Sequence, residues 1–371
     1  MIFVKSDELK TGMRLAKPIY NKSGVMLYER NSKLKSQSIV SIKNFGLIGV
    51  YILEAAEPVP PMTEDDIEFE RFQAMSIFAI RDIMDAMSKR KRSPELYQFA
   101  DRVLKNYGSL HRKINFIQSI RSKEDYVYKH TLNTTILCAM MTYKMKMELT
   151  RQIDVVVAAL LHDIGTLLIP INLRYKNHSE LSEEDIVKIN TYHIAALQMF
   201  NQNKDLSAEV VKIVTDIIKY LHPGIVKPSE VPEFMPLGAD ILKVAYTYDN
   251  MTAMNFEGEP NSEIIAVRHL MDNYMEFAPD VVDSLLASIN ILSPGTCVEL
   301  TNGDKGLVIA VNNSNVLEPF VLSFRDNKIH NLIDSKESLQ IKDIMKTMDN
   351  RYVIDTNLLS EYTGKAIHKK Q

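Results

Sequence analysis

The stretch Leu160-Leu161-His162-Asp163-Ile164-Gly165 determines how the rest of this chain is interpreted. It closes an apolar run from Val155 to Leu161, which is typical of a helix buried in the middle of a bundle, and Gly165 is expected to end that helix. A neutral imidazole next to a carboxylate can bind one divalent cation. Burying the two without partners would be costly, so they predict a site in a cleft. A hydrogen-bonded His-Asp pair that merely ends a helix is the alternative.

Composition restricts the class of protein. The chain has 371 residues, of which 46% are hydrophobic and 25% charged, as in a soluble protein of two or three domains. A net charge of −3 with scattered lysines argues against a DNA or RNA partner. The sequence has no signal-peptide pattern and no apolar window long enough for a membrane span, which predicts a cytoplasmic protein. Cys138 and Cys297 fit no disulfide or metal pattern and are expected to be structural.

The periodicity of apolar residues predicts a mainly α fold: a helical bundle flanked by a small N-terminal α+β module and a small C-terminal β appendage. The predicted units are an N-terminal module at 1–57 and a linker with a connecting helix at 58–95. The helical domain follows at 96–292, and the β appendage and tail at 293–371. The proline-rich segment 54–61 is expected to be a semi-rigid linker.

Capping signals indicate where two of the helices begin. Ser182, followed by Glu183-Glu184-Asp185, and Ser207 are typical N-caps, and six or more helices are expected between the linker and residue 292. The methionine-rich pieces of these helices are expected to fill the core. After Ser293-Pro294 the period changes to two, with a turn at Asn302-Gly303, which predicts antiparallel strands and then a short helix and frayed tail.

Further histidines could face the cleft. His130 lies on the preceding predicted helix with polar neighbours one turn away, so it could point toward His162 and Asp163. Taken alone, it could equally be a partly buried helix histidine. His193 lies on the helix that Ser182 caps, and it is a better ligand candidate than His178, which is expected to be solvated in a polar loop.

The order of these residues resembles the HD-GYP branch of the HD phosphohydrolase superfamily. The resemblance rests on His130, His162-Asp163-Ile164-Gly165, Ile169-Pro170, Leu181-Ser182-Glu183-Glu184 and His193, and it extends to Pro236–Ala245, the β segment after Pro294 and the opening around Thr11-Gly12-Met13 and Gly24. It implies a bacterial signalling hydrolase that cleaves cyclic di-GMP with one or two Fe or Mn ions. The metal ligands implied by the resemblance are His130, His162, Asp163 and His193, and Asp163 would also be catalytic.

The sequence departs from the family at several positions. Thr166 stands where the family has a lysine that could hold a phosphate, and the Gly-Tyr-Pro signature is missing. In the shortened region His222 is a further candidate metal ligand, and Lys227 is a candidate substitute for the missing cation. Tyr246 stands at the family's late aspartate ligand, and Tyr126 stands where a three-metal site would need a glutamate.

Two functions therefore remain open. The remaining ligands could hold one metal with water at an open position, whereas Tyr246 would support a second metal poorly. The chain is then a metal-dependent phosphodiesterase of this family, or a weakly active relative, that acts on cyclic di-GMP or another phosphoester. The alternative is a degenerate domain that senses a ligand or binds a protein partner. Asp249 matches a later aspartate that is not expected to bind metal. A purely structural helical protein would leave the ordered His-Asp set unexplained.

Overall fold

The computed structural model describes most of the chain. The described residues are 2–21, 25–53, 62–227, 230, 235–255, 258–312, 315–334 and 339–345, without the side chain of His178. The predicted linker at 54–61, Gly24 and the predicted tail helix within 346–371 lie outside the described residues.

The N-terminal module is an antiparallel sheet with one helix. Strands β1 (Ile2–Lys5), β5 (Gly49–Leu53) and β2 (Arg14–Leu15) pair in the order β1-β5-β2, and β3 (Ile19–Tyr20) pairs with β4 (Met26–Tyr28). Helix α1 (Ser36–Asn44) is the helical part of the predicted α+β module. The central strand β5 is buried along its whole length. The module's core also takes in Ile120 and Met254 from the helical part of the chain, so the two parts pack together.

A helical bundle makes up the middle of the chain. Its helices are α2 (Glu64–Ser88), α3 (Glu95–Tyr107), α4 (Tyr126–Lys144), α5 (Leu149–Leu161), α6 (Ile164–Leu168), α7 (Ile171–Arg174), α8 (Glu183–Gln202), α9 (Ala208–Leu221), α10 (Leu237–Thr252), α11 (Glu263–Asp272) and α12 (Pro279–Ser288). Helix α4 lies at the centre, because α2, α3, α5, α10 and α12 all pack against it. Helices α4 and α5 are accordingly buried on most sides, and the mainly α prediction is confirmed.

The predicted helix starts are correct, and one predicted helix end is wrong. The Ser182 hydroxyl accepts a hydrogen bond from the Asp185 amide at 3.1 Å, and Ser207 caps α9 in the same way. Helix α5 ends at Leu161, whereas Gly165 lies inside the next helix, α6. Asp163 makes the break with φ −105° and ψ 14°, a conformation open to non-glycine residues, so no glycine is needed there.

The C-terminal appendage is the predicted antiparallel sheet. Its strands are β6 (Cys297–Leu300), β7 (Lys305–Ala310), β8 (Phe320–Ser323), β9 (Ile329–Asn331) and β10 (Ile341–Ile344), in the order β10-β6-β7-β8-β9. Gly303 adopts φ 83° in the predicted turn, a left-handed conformation that favours glycine. Val298, Val308 and Val321 continue the hydrophobic core of the bundle. Across the described part of the chain, every helix is too short or too polar to cross a membrane.

Candidate metal centre

Three potential metal ligands meet where α4 passes the junction between α5 and α6. Helix α4 carries His130, and the two residues between α5 and α6 are His162 and Asp163. One ligand atom from each of these three residues lies within 4.8 Å of the others. His130 and His162 are buried, and Asp163 is half-buried. The packing of α4 on α5 therefore converts two distant sequence positions into one cluster.

The two imidazoles are oriented toward each other by hydrogen bonds on their far sides. His162 Nδ1–H donates to the Ala159 carbonyl at 2.7 Å, an acceptor that requires the proton to be on Nδ1. His130 Nδ1–H donates to Asp249 Oδ2 at 2.6 Å. The two Nε2 atoms then face each other at 3.4 Å. Metal-binding histidines commonly have this arrangement, in which the outer nitrogen is held by a carboxylate or a carbonyl.

Asp249 is the hub of a buried hydrogen-bond network. Its carboxylate accepts from Arg121 Nη2 at 2.6 and 2.7 Å, from Gln118 Nε2 at 3.0 Å and from Asn133 Nδ2 at 2.9 Å, besides His130. Asp249 and Arg121 are both fully buried. Burial raises the pKa of Asp249, but the Arg121 charge and the His130 hydrogen bond outweigh burial and hold this pKa below its usual range. Asp249 is therefore an anion that can only accept, which places the His130 proton on Nδ1.

Burial also determines the charge of the other cluster members. Burial away from water lowers the pKa of His162 to about 3, and the neighbouring His130 adds a smaller effect in the same direction. The His162 imidazole is therefore neutral near pH 7. Burial raises the pKa of Asp163, while His130, the Thr166 hydrogen bond and Arg174 act in the opposite direction. A neutral imidazole with a bare Nε2 is the form of histidine that binds a metal ion.

The cluster fits a divalent metal ion. Two nitrogens that each lie about 2.1 Å from one ion, at a roughly tetrahedral angle, are about 3.4 Å apart. The His130 and His162 Nε2 atoms have this separation. A divalent cation between the two Nε2 atoms would accept one lone pair from each imidazole. His130, His162 and Asp163 are thus the residues that would hold the ion, and His and carboxylate ligands suit Mn, Fe and Zn.

Tyr246 lies against this cluster, at the position where the family has an aspartate. Its ring centroid is 4.8 Å from that of His130 and 5.7 Å from that of His162, edge to face in both cases. Burial raises the pKa of Tyr246, so the phenol stays protonated and is a poor metal ligand. Tyr126 is half-buried, and the guanidinium carbon of Arg121 lies 5.1 Å from its ring centroid.

Thr166 and Gly165 contact the cluster from the first turn of α6. The Thr166 hydroxyl donates to Asp163 Oδ1, so it orients the carboxylate and does not act as a cation. A Cβ on Gly165 would lie 2.5 Å from His193 Nδ1, which is inside contact distance. Gly165 therefore allows α8 to approach α6 closely, a role different from the helix end predicted from the sequence.

His193 and His222 form a separate pair. Their rings are stacked, with centroids 3.5 Å apart and planes 18° from parallel. Desolvation lowers the pKa of His193 to about 3 and that of His222 to about 4. Among the described residues, the group within mutual ligand distance contains His130, His162 and Asp163 but neither of this pair. The assignment of His193 and His222 as metal ligands stays a prediction.

The remaining residues singled out in the sequence lie on other elements. Lys227 is exposed, just after the short 3-10 helix Pro223–Ile225, and its role as a replacement cation stays a prediction. His178 begins another 3-10 helix, and its side chain is outside the described residues. Cys138 is buried, and Cys297 is half-buried at the start of β6.

Sequence reasoning missed the residues that support the cluster. Arg121 and Gln118 lie in an irregular segment before α4, where no periodic pattern marks them as buried. Arg174 was also missed: its Nη2 donates to the Leu167 and Ile169 carbonyls at 2.6 and 2.9 Å, and its charge acts on Asp163. In the sequence Arg121 is followed by the polar run Ser122-Lys123-Glu124-Asp125, so nothing local marks it as buried.

Comparison with known proteins agrees with this geometry for the middle of the chain. Residues 115–280 match a protein-family model described as "HD domain". No curated protein gives a significant match to the chain. The matched range contains both pairs of histidines, Asp163 and the Asp249 network. The unit boundaries predicted at 57, 95 and 292 and the HD-GYP branch remain predictions. Residues 115–280 are an HD domain, of the superfamily of metal-dependent phosphohydrolases.

Proposed function

We propose that this HD domain binds one Mn or Fe ion through His130, His162 and Asp163 and hydrolyses a phosphodiester, with cyclic di-GMP as the substrate. The observation that carries the proposal is the pair of Nε2 atoms facing each other at 3.4 Å, each held by a hydrogen bond on its other nitrogen. Cyclic di-GMP, and with it a role in bacterial signalling in the cytoplasm, comes from the resemblance to the HD-GYP branch.

The protein groups have separate tasks in this reaction. A bound divalent ion would supply Lewis acidity and lower the pKa of a bound water. Asp249 holds the His130 proton on Nδ1, and the Ala159 carbonyl does the same for His162. Thr166 orients Asp163. These contacts keep the cluster arranged before the substrate arrives, which is how electrostatic groups contribute most to rate.

Slow turnover is part of the proposal. The Thr166 hydroxyl donates a hydrogen bond to Asp163 and is uncharged, so it does not supply the positive charge of the family's lysine. Tyr246 packs edge to face on both imidazoles, and by the resemblance it replaces the late aspartate that would complete a second metal site. Removing one preorganised electrostatic group typically slows an enzyme by about 10²–10³-fold. We therefore expect turnover of cyclic di-GMP below about 1 s⁻¹, the low end of typical enzymes.

The second candidate is a domain that binds cyclic di-GMP or a protein partner without turnover. Tyr246 favours it, because an aromatic ring against both imidazoles leaves less room for water at the metal. The two candidates share the fold and the first metal site, and they differ in whether product forms.

Metal content and hydrolysis of the full chain separate the candidates. We expect about one Mn or Fe per chain, and slow hydrolysis of cyclic di-GMP that disappears in His162→Ala and Asp163→Ala. His330→Ala is the matched control, because this histidine lies on β9 and bonds Asp326 at the surface. Metal binding and cyclic di-GMP binding without product would support the second candidate. A chain that binds neither Mn nor Fe would refute both the metal site and the hydrolase.

A further inference from the structure

Residues 118 to 121 lie between the metal centre and the N-terminal module and contact both. The side chains of Gln118 and Arg121 donate to Asp249, the carboxylate that holds His130. Their backbone carbonyls accept from the module: Lys17 Nζ donates to Gln118 O at 3.0 Å, and the Ile48 amide donates to Arg121 O at 3.3 Å. The same two residues therefore connect the module to the support of a metal ligand.

This contact lies in the interior of the protein. Lys17 is only 3% exposed, and its Nζ lies 5.3 Å from the centroid of the Tyr51 ring in β5. An isolated β-bridge joins Leu47 to Ser122 beside it. A buried ammonium needs its acceptors, because water cannot replace them, and charge-assisted hydrogen bonds are stronger than neutral ones. Lys17 thus restrains the backbone at Gln118.

The restraint reaches the metal centre through few steps. Gln118 Nε2 also donates to Thr252 Oγ1 at 2.9 Å, and its Oε1 accepts from Asn133 at 2.8 Å, so its side chain is held on both ends. A shift of its backbone would move the donors that hold Asp249. Asp249 in turn sets the ring orientation of His130.

We propose that Lys17, from the N-terminal module, is a positioning residue for the metal centre: it holds Gln118, which holds Asp249, which orients His130. This inference rests on the proposed metal site. It makes the module a structural part of the centre.

The test is the Mn²⁺ affinity of the full-length Lys17→Met variant, measured by EPR titration. Methionine keeps the apolar stem and removes the ammonium. Loss of groups around metal ligands commonly weakens metal binding about 10–100-fold, and for this more distant residue we expect about three- to tenfold. Lys43→Met is the matched control: within the described part of the chain Lys43 pairs with Asp7 of the same module at 3.6 Å, and this variant should bind Mn²⁺ like the wild type. Lys17→Arg keeps a charged donor and should restore most of the affinity.

A second measurement follows the His130 hydrogen bond without metal. The imidazole N–H that donates to Asp249 should give a downfield proton NMR signal, assigned by its loss in His130→Ala. We expect Lys17→Met to shift or broaden this signal and Lys43→Met to leave it unchanged. A merely structural role for Lys17 would lower stability without moving the signal.

The outcomes are distinct. Wild-type affinity in folded Lys17→Met overturns the inference, and so does weaker binding with an unchanged His130 signal. If circular dichroism shows that Lys17→Met does not fold, Lys17→Gln, which is too short to reach the Gln118 carbonyl in the same way, carries the same test. If the wild type itself binds no Mn²⁺, the proposed metal site is refuted. If the wild type and the variant bind Mn²⁺ equally, the metal site stands and only the role of Lys17 is refuted.

Discussion

Replacing Asp249 by asparagine should damage both the stability of the fold and the metal centre. The carboxylate is fully buried and accepts hydrogen bonds from Arg121, Gln118, Asn133 and His130. In Asp249→Asn, one acceptor oxygen becomes an NH₂ group that faces other donors. The Arg121 charge then has no anion beside it, and breaking a buried ion pair on one side typically costs about 3–5 kcal/mol.

The effect on the metal centre follows from the tautomer of His130. In the wild type the Asp249 carboxylate, 2.6 Å away, keeps a proton on Nδ1, so Nε2 is the nitrogen that can bind a metal ion. An amide NH₂ at the same place would favour an unprotonated Nδ1, which moves the proton to Nε2, the nitrogen that faces His162. Metal affinity should therefore fall about 10–100-fold.

Urea unfolding and Mn²⁺ titration of the full chain measure the two effects separately. Asp101→Asn is the control, because Asp101 forms an exposed pair with Lys105 at 2.7 Å on α3, and such pairs contribute about 0.2–1 kcal/mol. If Asp249→Asn loses less than about 1 kcal/mol, a surface-like value, and binds Mn²⁺ like the wild type, Asp249 does not support the cluster in the way argued.

Three further predictions concern the same region. Tyr246→Asp should raise bound Mn²⁺ per chain, by inductively coupled plasma mass spectrometry, because a carboxylate replaces a ring 4.8 Å from His130, while Tyr246→Phe should not. Gly165→Ala should cost about 1–3 kcal/mol in urea unfolding, since its Cβ would lie 2.5 Å from His193 Nδ1; Gly258→Ala, where a Cβ meets nothing within 4 Å, should be nearly neutral, and an equal cost would contradict the packing argument. The metal-free chain should lose stability as the pH falls below 6.5, because unfolded His162 binds a proton at its ordinary pKa of 6.5 and the folded imidazole binds one only near 3. The loss reaches about 2 kcal/mol for this residue at pH 5, and a flat profile between pH 7 and 5 would show that His162 is not buried in its neutral form.

Local signals in the sequence were enough for the helices and strands. The hydroxyl caps at Ser182 and Ser207, the period of three and four in the bundle and the change to a period of two after Pro294 each depend on neighbours within a few positions. The error at Gly165 has a different origin. A glycine after a helical run predicts a helix end, whereas here it is needed for contact with His193, about thirty positions away in the chain.

The sequence by itself determined which residues can act as ligands, through the adjacent His162 and Asp163 and the histidine on the preceding helix. Only the tertiary structure decided which of them meet. Packing of α4 on α5 brings His130 to His162, and the rings of His193 and His222 stack on each other. It also decided that Arg121, Gln118 and Lys17 support the centre, because hydrogen bonds to Asp249 and to Gln118 O join residues up to 131 positions apart, and no local pattern encodes such contacts.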